Sequence, residues 1–332
     1  MTRSRILTLA LIVVLAVLAV AAWLMFGRTA AGMEYANADR YTVGGTTVTG
    51  PVENLYVDWT SGQVNIEYHA GDGVVVTETA NRPLADDDRL RWWLDGTTLR
   101  IRYAKSGFRI SFNLDKQLTV SLPEGTVLKS ADLGTTSGDL NIPALAAEKI
   151  RLDSTSGSIN AGTAAKNLSA SSTSGNVIVR QDSDLETVDL RSTSGSIVAN
   201  LAAVKSVTAD STSGDILLAV TGSAEKVKLH STSGNISPEL ASAAIAEFSS
   251  TSGRVSGSIA AFDDLKIWTT SGNVFMDLPG DPGFTCKIDT ASGAFSSSVA
   301  LAKNGDVYTC GDGKARCAID TSSGDIFIGR EQ

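Results

Sequence analysis

Beyond residue 130, apolar and polar positions alternate with a period of two, and the alternation breaks wherever a Ser-Gly pair occurs. The pair lies mostly within Ser-Thr-Ser-Gly. Its glycine falls at Gly138, Gly157, Gly175, Gly195, Gly214, Gly234, Gly253, Gly272 and Gly293, at spacings of 18 to 21 residues. A further copy ends at Gly324 after a gap of 31, and an early one ends at Gly62. Seven residues before the glycine stand Ile150, Leu168, Val188, Val207, Val227 and Leu265, and five before it Leu133, Leu152, Leu190, Leu229, Phe248 and Ile267. Two after it stand Leu140, Ile159, Val177, Ile197, Ile216, Ile236, Val255 and Val274. The residues between are mostly Lys, Arg, Asp, Glu, Ser or Thr. Such a pattern predicts a strand, a tight turn at Ser-Gly and a second strand, with glycine expected to supply a positive φ.

A period near 19 is too short for paired-helix repeats and lacks the leucines and asparagine of leucine-rich repeats. The predicted fold is therefore all-β: a parallel β-helix whose coils stack about 4.8 Å apart, so that ten coils make a rod of roughly 50 Å. Equal positions of successive coils should then form ladders. The Ser or Thr three before each glycine (Thr135, Ser154, Ser172, Ser192 and their equivalents) shares the inward phase and predicts an internal hydroxyl ladder. The Thr that follows it should face outward. Residues 41–130 hold longer strands and a hairpin signal at Asp95-Gly96, and are expected to form an N-terminal β cap on a repeat domain of 131–332. Asn304-Gly305 and Gly311-Asp312-Gly313 predict a hairpin excursion near the other end.

Ahead of the cap, Ile6–Phe26 is a charge-free run of 21 residues, enough to cross a hydrocarbon core of about 30 Å as one helix. Arg3 and Arg5 precede it and Trp23 lies near its end, which puts the N-terminus in the cytoplasm and the rest outside the cell membrane. Ala19-Val20-Ala21 would suit a cleavable signal peptide. Because the apolar run continues through Trp-Leu-Met-Phe, a retained single-pass anchor over 1–28 is preferred, with 29–40 as a tether.

Charge narrows the partners. Residues 29–332 carry 25 basic and 36 acidic groups, which argues against nucleic acid. Two His and three Cys leave little for a metal site. His69 and His230 could serve a Ser-His-Asp site, but serine recurs here for turn reasons, and His230 takes a position that holds Asp153, Arg191 and Asp210 in other coils. The Asp and Asn after many glycines could hint at calcium, yet turn preference explains them and the row is interrupted. No catalytic, cofactor-binding or metal-binding residue is assigned. Of the consecutive Trp92 and Trp93, one should face inward. Trp93, beside Arg91 and Arg102, is the candidate for an exposed contact residue.

The anchor, VENLYVDWTSGQVNIE, RPLADDDRLRWWLDGTTLRIRYAKSG, the Ser-Thr-Ser-Gly ladder and the closing YTCGDGKARCAIDTSSGDIFI together resemble the bacterial β-strand-repeat family labelled "putative adhesin", a domain of unknown function. The resemblance covers about residue 40 to the end. It implies a β-helical extracytoplasmic domain and brings no catalytic residues and no known ligand. Adhesion to an extracellular or envelope ligand is the leading expectation; service to an envelope-stress system and a structural envelope role are the alternatives. The cysteines give a separate expectation. Cys286 and Cys317 share the position seven before a repeat glycine, while Cys310 and Cys317 flank a Gly-rich hexapeptide. With export favouring oxidation, a Cys310–Cys317 bridge is preferred over a Cys286–Cys317 bridge or three free thiols.

Overall fold

A computed structural model describes residues 34–106, 114–280 and 283–329; the apolar run Ile6–Phe26 lies outside the described residues. Among the described residues no helix is long and apolar enough to cross a membrane.

The repeat folds as the alternation dictates. The strands Ala146–Ser154, Ala164–Ser172, Leu185–Ser192 and Val204–Ser211 lie parallel and in register, so Ile150 faces Leu168, Leu168 faces Val188, and Val188 faces Val207. After each glycine a second parallel ladder runs Ile159, Val177, Ile197, Ile216. Two strands, Ile216–Ser231 and Ile236–Ser250, continue round the corner and serve both ladders. Inward positions are sealed: Ile150, Leu152, Ile159, Ile197, Ile216 and Leu229 are all 0% exposed. The chain is thus an all-β solenoid with one continuous apolar core, held by burial along its length and by parallel hydrogen bonding between coils.

The turn explains the repeated residues. In the Gly157 coil, Gly157 N–H donates to Ser154 Oγ across 2.8 Å, and the same bond recurs from Gly175 to Ser172 and from Gly195 to Ser192. Ser172 Oγ in turn donates to Gly157 O of the preceding coil (3.1 Å). The inward hydroxyl therefore satisfies two buried backbone groups in a corner where strand pairing cannot. The residue after glycine continues the ladder outside: Asn176 Oδ1 accepts from Ser196 N (2.9 Å) and Asp215 Oδ1 from Asn235 N (2.8 Å). This is why Asp and Asn favour that position.

The expected role of the glycines needs correcting. Of the repeat glycines only Gly62 has a positive φ, at 84°. The others are required by crowding: a Cβ on Gly157 would overlap the carbonyl of Gly138, one on Gly175 that of Gly157, and so on through the stack. The turns nest so closely that backbone occupies the volume of a side chain.

The order of coils departs from the order of the sequence at both ends. Asn54–Trp59 and Val64–His69 form the coil of Gly62, which stacks on the coil of Gly138 on one side. On its other side lie Thr98–Arg102 and Lys116–Pro123, again parallel. Arg91–Asp95 and Val74–Ala80 then cover those strands antiparallel, the first through the hairpin at Gly96. At the opposite end Ala315–Thr321, the coil of Gly324, lies between Phe262–Thr269 of the Gly272 coil and Phe284–Thr290 of the Gly293 coil. Simple sequential stacking fails there. The hairpin strands Ala302–Asn304 and Val307–Cys310 cover the exposed side of Phe284–Thr290. Antiparallel strands finish both ends, which protects edges that a parallel stack would leave open.

Candidate contact surface

Each strand before a glycine turns alternate residues outward, and these differ from coil to coil. Four before the glycine the outward row reads Asp153, Ser171, Arg191, Asp210, His230, Ser249, Trp268 and Asp320, adjacent members being paired in register. Trp268 is 45% exposed, the one aromatic among the large exposed hydrophobics of the described residues. Ser249 shares the outward phase but is 3% exposed, because His230 and Trp268 flank it. His230 Nδ1 lies 2.8 Å from Ser249 Oγ, with Asp210 as the in-register neighbour on its far side. Acid, imidazole and hydroxyl thus stand side by side on an outward row of a sheet, followed by an indole. The row can stack an apolar ring and hydrogen-bond its substituents.

Trp268 gave no signal in the sequence beyond standing where other coils hold polar residues. Trp93 was the expected contact residue, and its surroundings are more closed. Trp92 pairs with inward Ile101 and Trp93 with outward Arg100. The N-terminal segment then folds over Trp93: the Tyr41 ring meets it edge-on at 5.7 Å, and the Arg40 guanidinium lies 5.4 Å from its centroid. Tyr35 packs on Tyr41 at 5.0 Å and is capped by Arg102 at 5.1 Å. Arg102 also pairs with Asp58 and stacks on Tyr56. Burial pushes the Asp58 carboxyl above its ordinary range, against the pull of Arg102. Burial likewise raises the Tyr35 and Tyr56 phenols. This cluster fastens the incoming segment to the cap.

Beneath it Lys116 is fully buried. Its Nζ lies 2.7 Å from Glu78 Oε2, donates to Asp88 O (2.6 Å) and to Tyr103 O, and sits 4.4 Å from the Tyr103 ring centroid. Burial holds the Lys116 ammonium below its ordinary range while Glu78 pulls the other way. Glu78 Oε1 and Oε2 both accept from Leu90 N–H. The ion pair ties the 81–90 segment and the Tyr103 strand end to the solenoid.

His69 is a turn residue: its Nδ1 accepts from Gly71 N–H and its Nε2 lies 2.8 Å from Gly73 O. Among the described residues no three His, Cys, Asp or Glu side chains are placed to hold a metal ion. Of the eight threonines expected to face outward, Thr136, Thr193, Thr212, Thr232, Thr251 and Thr270 are exposed, and Thr155 and Thr173 are half-buried. Cys310 and Cys317 are not brought face to face. Phe284–Thr290 runs between their two strands, and the three cysteines are buried free thiols in the structure. The flanking Gly-rich hexapeptide does not fold them into one hairpin, because both strands pair with that intervening strand instead.

Residues 52–263 match the family described as Toastrack DUF4097. No curated protein matches the chain. Among solved structures, a "putative adhesin" from Parabacteroides distasonis is 14% identical over 86% of this chain and 96% of its own, with a TM-score of 0.43. A "putative lipid binding protein" from the same species is 18% identical over 88% and 97%, with a TM-score of 0.41. A "putative cell adhesion protein" from Clostridium sporogenes is 14% identical over 88% and 100%, with a TM-score of 0.21.

Proposed function

We propose that this chain, which belongs to the Toastrack DUF4097 family, is a membrane-anchored, non-enzymatic binding module that holds a parallel β-helical rod outside the cell. The apolar run Ile6–Phe26, preceded by Arg3 and Arg5, is the anchor, and the rod acts as an adhesin. The observation that carries this reading is Trp268, 45% exposed between Ser249 and Asp320 in an otherwise polar row. A half-exposed indole offers a stacking face to a ligand with an apolar ring and hydroxyl groups. The acidic body makes neutral polymers better partners than polyanions.

The test uses the full chain in detergent against beads carrying neutral cell-wall polysaccharides, host glycans or heparin. Saturable retention on a neutral glycan, weakened at least about tenfold by Trp268→Ala, is expected, with none on heparin. Retention on none of the neutral supports, or equal retention by the variant, overturns the reading. Protease added to intact cells should remove everything beyond about residue 40; a shielded body would overturn the topology.

A further inference from the structure

The three thiols cluster in the terminal coils, and the pairing of strands there separates the possible cross-links. Cys286 and Cys317 are directly opposite each other on the parallel strands Phe284–Thr290 and Ala315–Thr321. Both point inward, at 0% and 5% exposure. Neighbouring in-register strands place such Cα atoms about 4.8 Å apart, inside the window of about 4.4–6.8 Å that a disulfide needs. Cys310 faces Phe284 across the antiparallel pair, whereas Cys286 faces Tyr308. Cys310 is therefore diagonal to Cys286, and its sulfur lies 3.9 Å from Gly280 O. Cys310 and Cys317 have a whole strand between them. Only one of the three pairings is between facing positions on adjacent strands.

We propose that Cys286 and Cys317 are a disulfide-forming pair that staples the two out-of-order terminal coils, leaving Cys310 as a free core thiol. The oxidant is a dithiol-exchanging disulfide of an oxidising compartment, so the proposal rests on export of the body. One thiolate attacks a sulfur of that disulfide and expels one thiol. The second cysteine, losing its proton, attacks the resulting mixed disulfide and expels the other. Two S–H bonds are lost, one S–S bond forms within the chain, and the oxidant leaves as two thiols carrying the two protons and two electrons. Burial and the adjacent Cys286 push the Cys317 thiol well above its ordinary range, which makes it a poor nucleophile once the coil has closed. Oxidation accordingly belongs to folding, before the Gly324 coil is sealed. The bond would close the loop from 286 to 317, the segment that must double back for Ala315–Thr321 to enter between its neighbours.

Trypsin gives each cysteine its own peptide, because Lys287, Lys303, Lys314, Arg316 and Arg330 separate them. The full chain, unfolded and refolded in detergent with oxidised glutathione, would be alkylated without reduction, digested and mapped by mass. The expected result is a peptide joining Cys286 to Cys317, with Cys310 alkylated. Three alkylated cysteines, or Cys310 in the cross-link, overturn the proposal. Cys310→Ser should keep the link. Adding reductant should lower the melting temperature of the oxidised protein by several degrees and leave Cys286→Ala unchanged; an equal shift in both would overturn the staple. Export is tested separately by protease on intact cells, so failure of refolded chain to form the bond is distinguishable from failure of the topology.

Discussion

The hydroxyls of Thr269 and Thr321 are hydrogen-bonded across 2.8 Å, although 52 residues separate them. The bond marks the plane where the coil of Gly324 enters the stack. Thr321 lies against Thr269 on one side and Thr290 on the other, so the last coil in sequence is the last but one in space. The Gly293 coil consequently has no contact ladder with the Gly272 coil and depends on the chain that follows it.

That dependence can be tested by truncation. Deleting residues 302–332 removes both strands that pair with Phe284–Thr290. Amide hydrogen exchange over 284–290 should rise to the level of an unprotected segment, while protection at Leu185–Ser192, several coils away, stays unchanged. Retained protection over 284–290 would mean that this coil can stack on Phe262–Thr269 directly.

The two uses of glycine separate energetically. Gly195 has backbone of the neighbouring coil where its Cβ would be, whereas Gly96 has a φ of 62° and nothing within 4 Å. Gly195→Ala should cost about 3 kcal/mol or more, since carbonyl groups on a stacked ladder cannot move aside. Gly96→Ala pays only for its left-handed backbone, about 1 kcal/mol. Urea unfolding of the two variants decides it; equal losses would return the repeat glycines to a φ-based explanation.

What the sequence made legible was what alternation encodes. Ile150, Leu152 and Ile159 announce their faces through their distance from Gly157, and the inward hydroxyl at Ser154 follows from the same phase. Alternation says which way a side chain points and nothing about which strand lies beside it. Placement of Ala315–Thr321 between two earlier strands was therefore invisible, although the interval of 31 before Gly324 was its trace. Cys286 and Cys317 show a shared ladder position, whereas the Gly-rich hexapeptide between Cys310 and Cys317 carries no sign of the strand that runs between theirs. Trp268 is not legible in the sequence, because one aromatic in a variable outward row has no periodic signature. Closure of Tyr41 and Arg40 over Trp93 depends on a return of the N-terminal segment that no local pattern encodes.

The buried pair in the cap gives a sharper energetic prediction. Lys116 and Glu78 are 0% and 7% exposed. Lys116→Met leaves Glu78 buried without its cation and should destabilise the protein by about 3–5 kcal/mol. Adding Glu78→Gln removes the stranded charge while an amide oxygen still accepts from Leu90 N–H. The double variant should recover more than half of the loss in urea unfolding. Additive losses would show that the packing of the lysine stem, and not its charge, governs the site.

Alkali should attack the cap first. Burial raises the phenols of Tyr35, Tyr56 and Tyr103, so the folded state disfavours their ionisation. A folded pKa above the unfolded value contributes stability that is fully present below the unfolded value, about pH 10, and is lost as pH rises through the folded one. Lys116 works in the opposite sense. Its folded pKa is depressed, so its penalty is present at neutral pH and fades as pH rises towards the unfolded lysine value, about 10.4. Three phenols against one ammonium leave a net loss of cap stability above about pH 10. Six tyrosines are present, and phenolate absorbance at 295 nm, recorded in buffer and in urea, follows their ionisation. The native curve should lag the denatured one and then rise steeply as the cap opens. In Lys116→Met the compensating gain is absent, so the fall in stability between pH 9 and 11, roughly the range spanned by these groups, should be steeper than in the wild type. Coincident native and denatured titrations would mean that the phenols of the Tyr35, Tyr56 and Tyr103 cluster ionise as freely as in water.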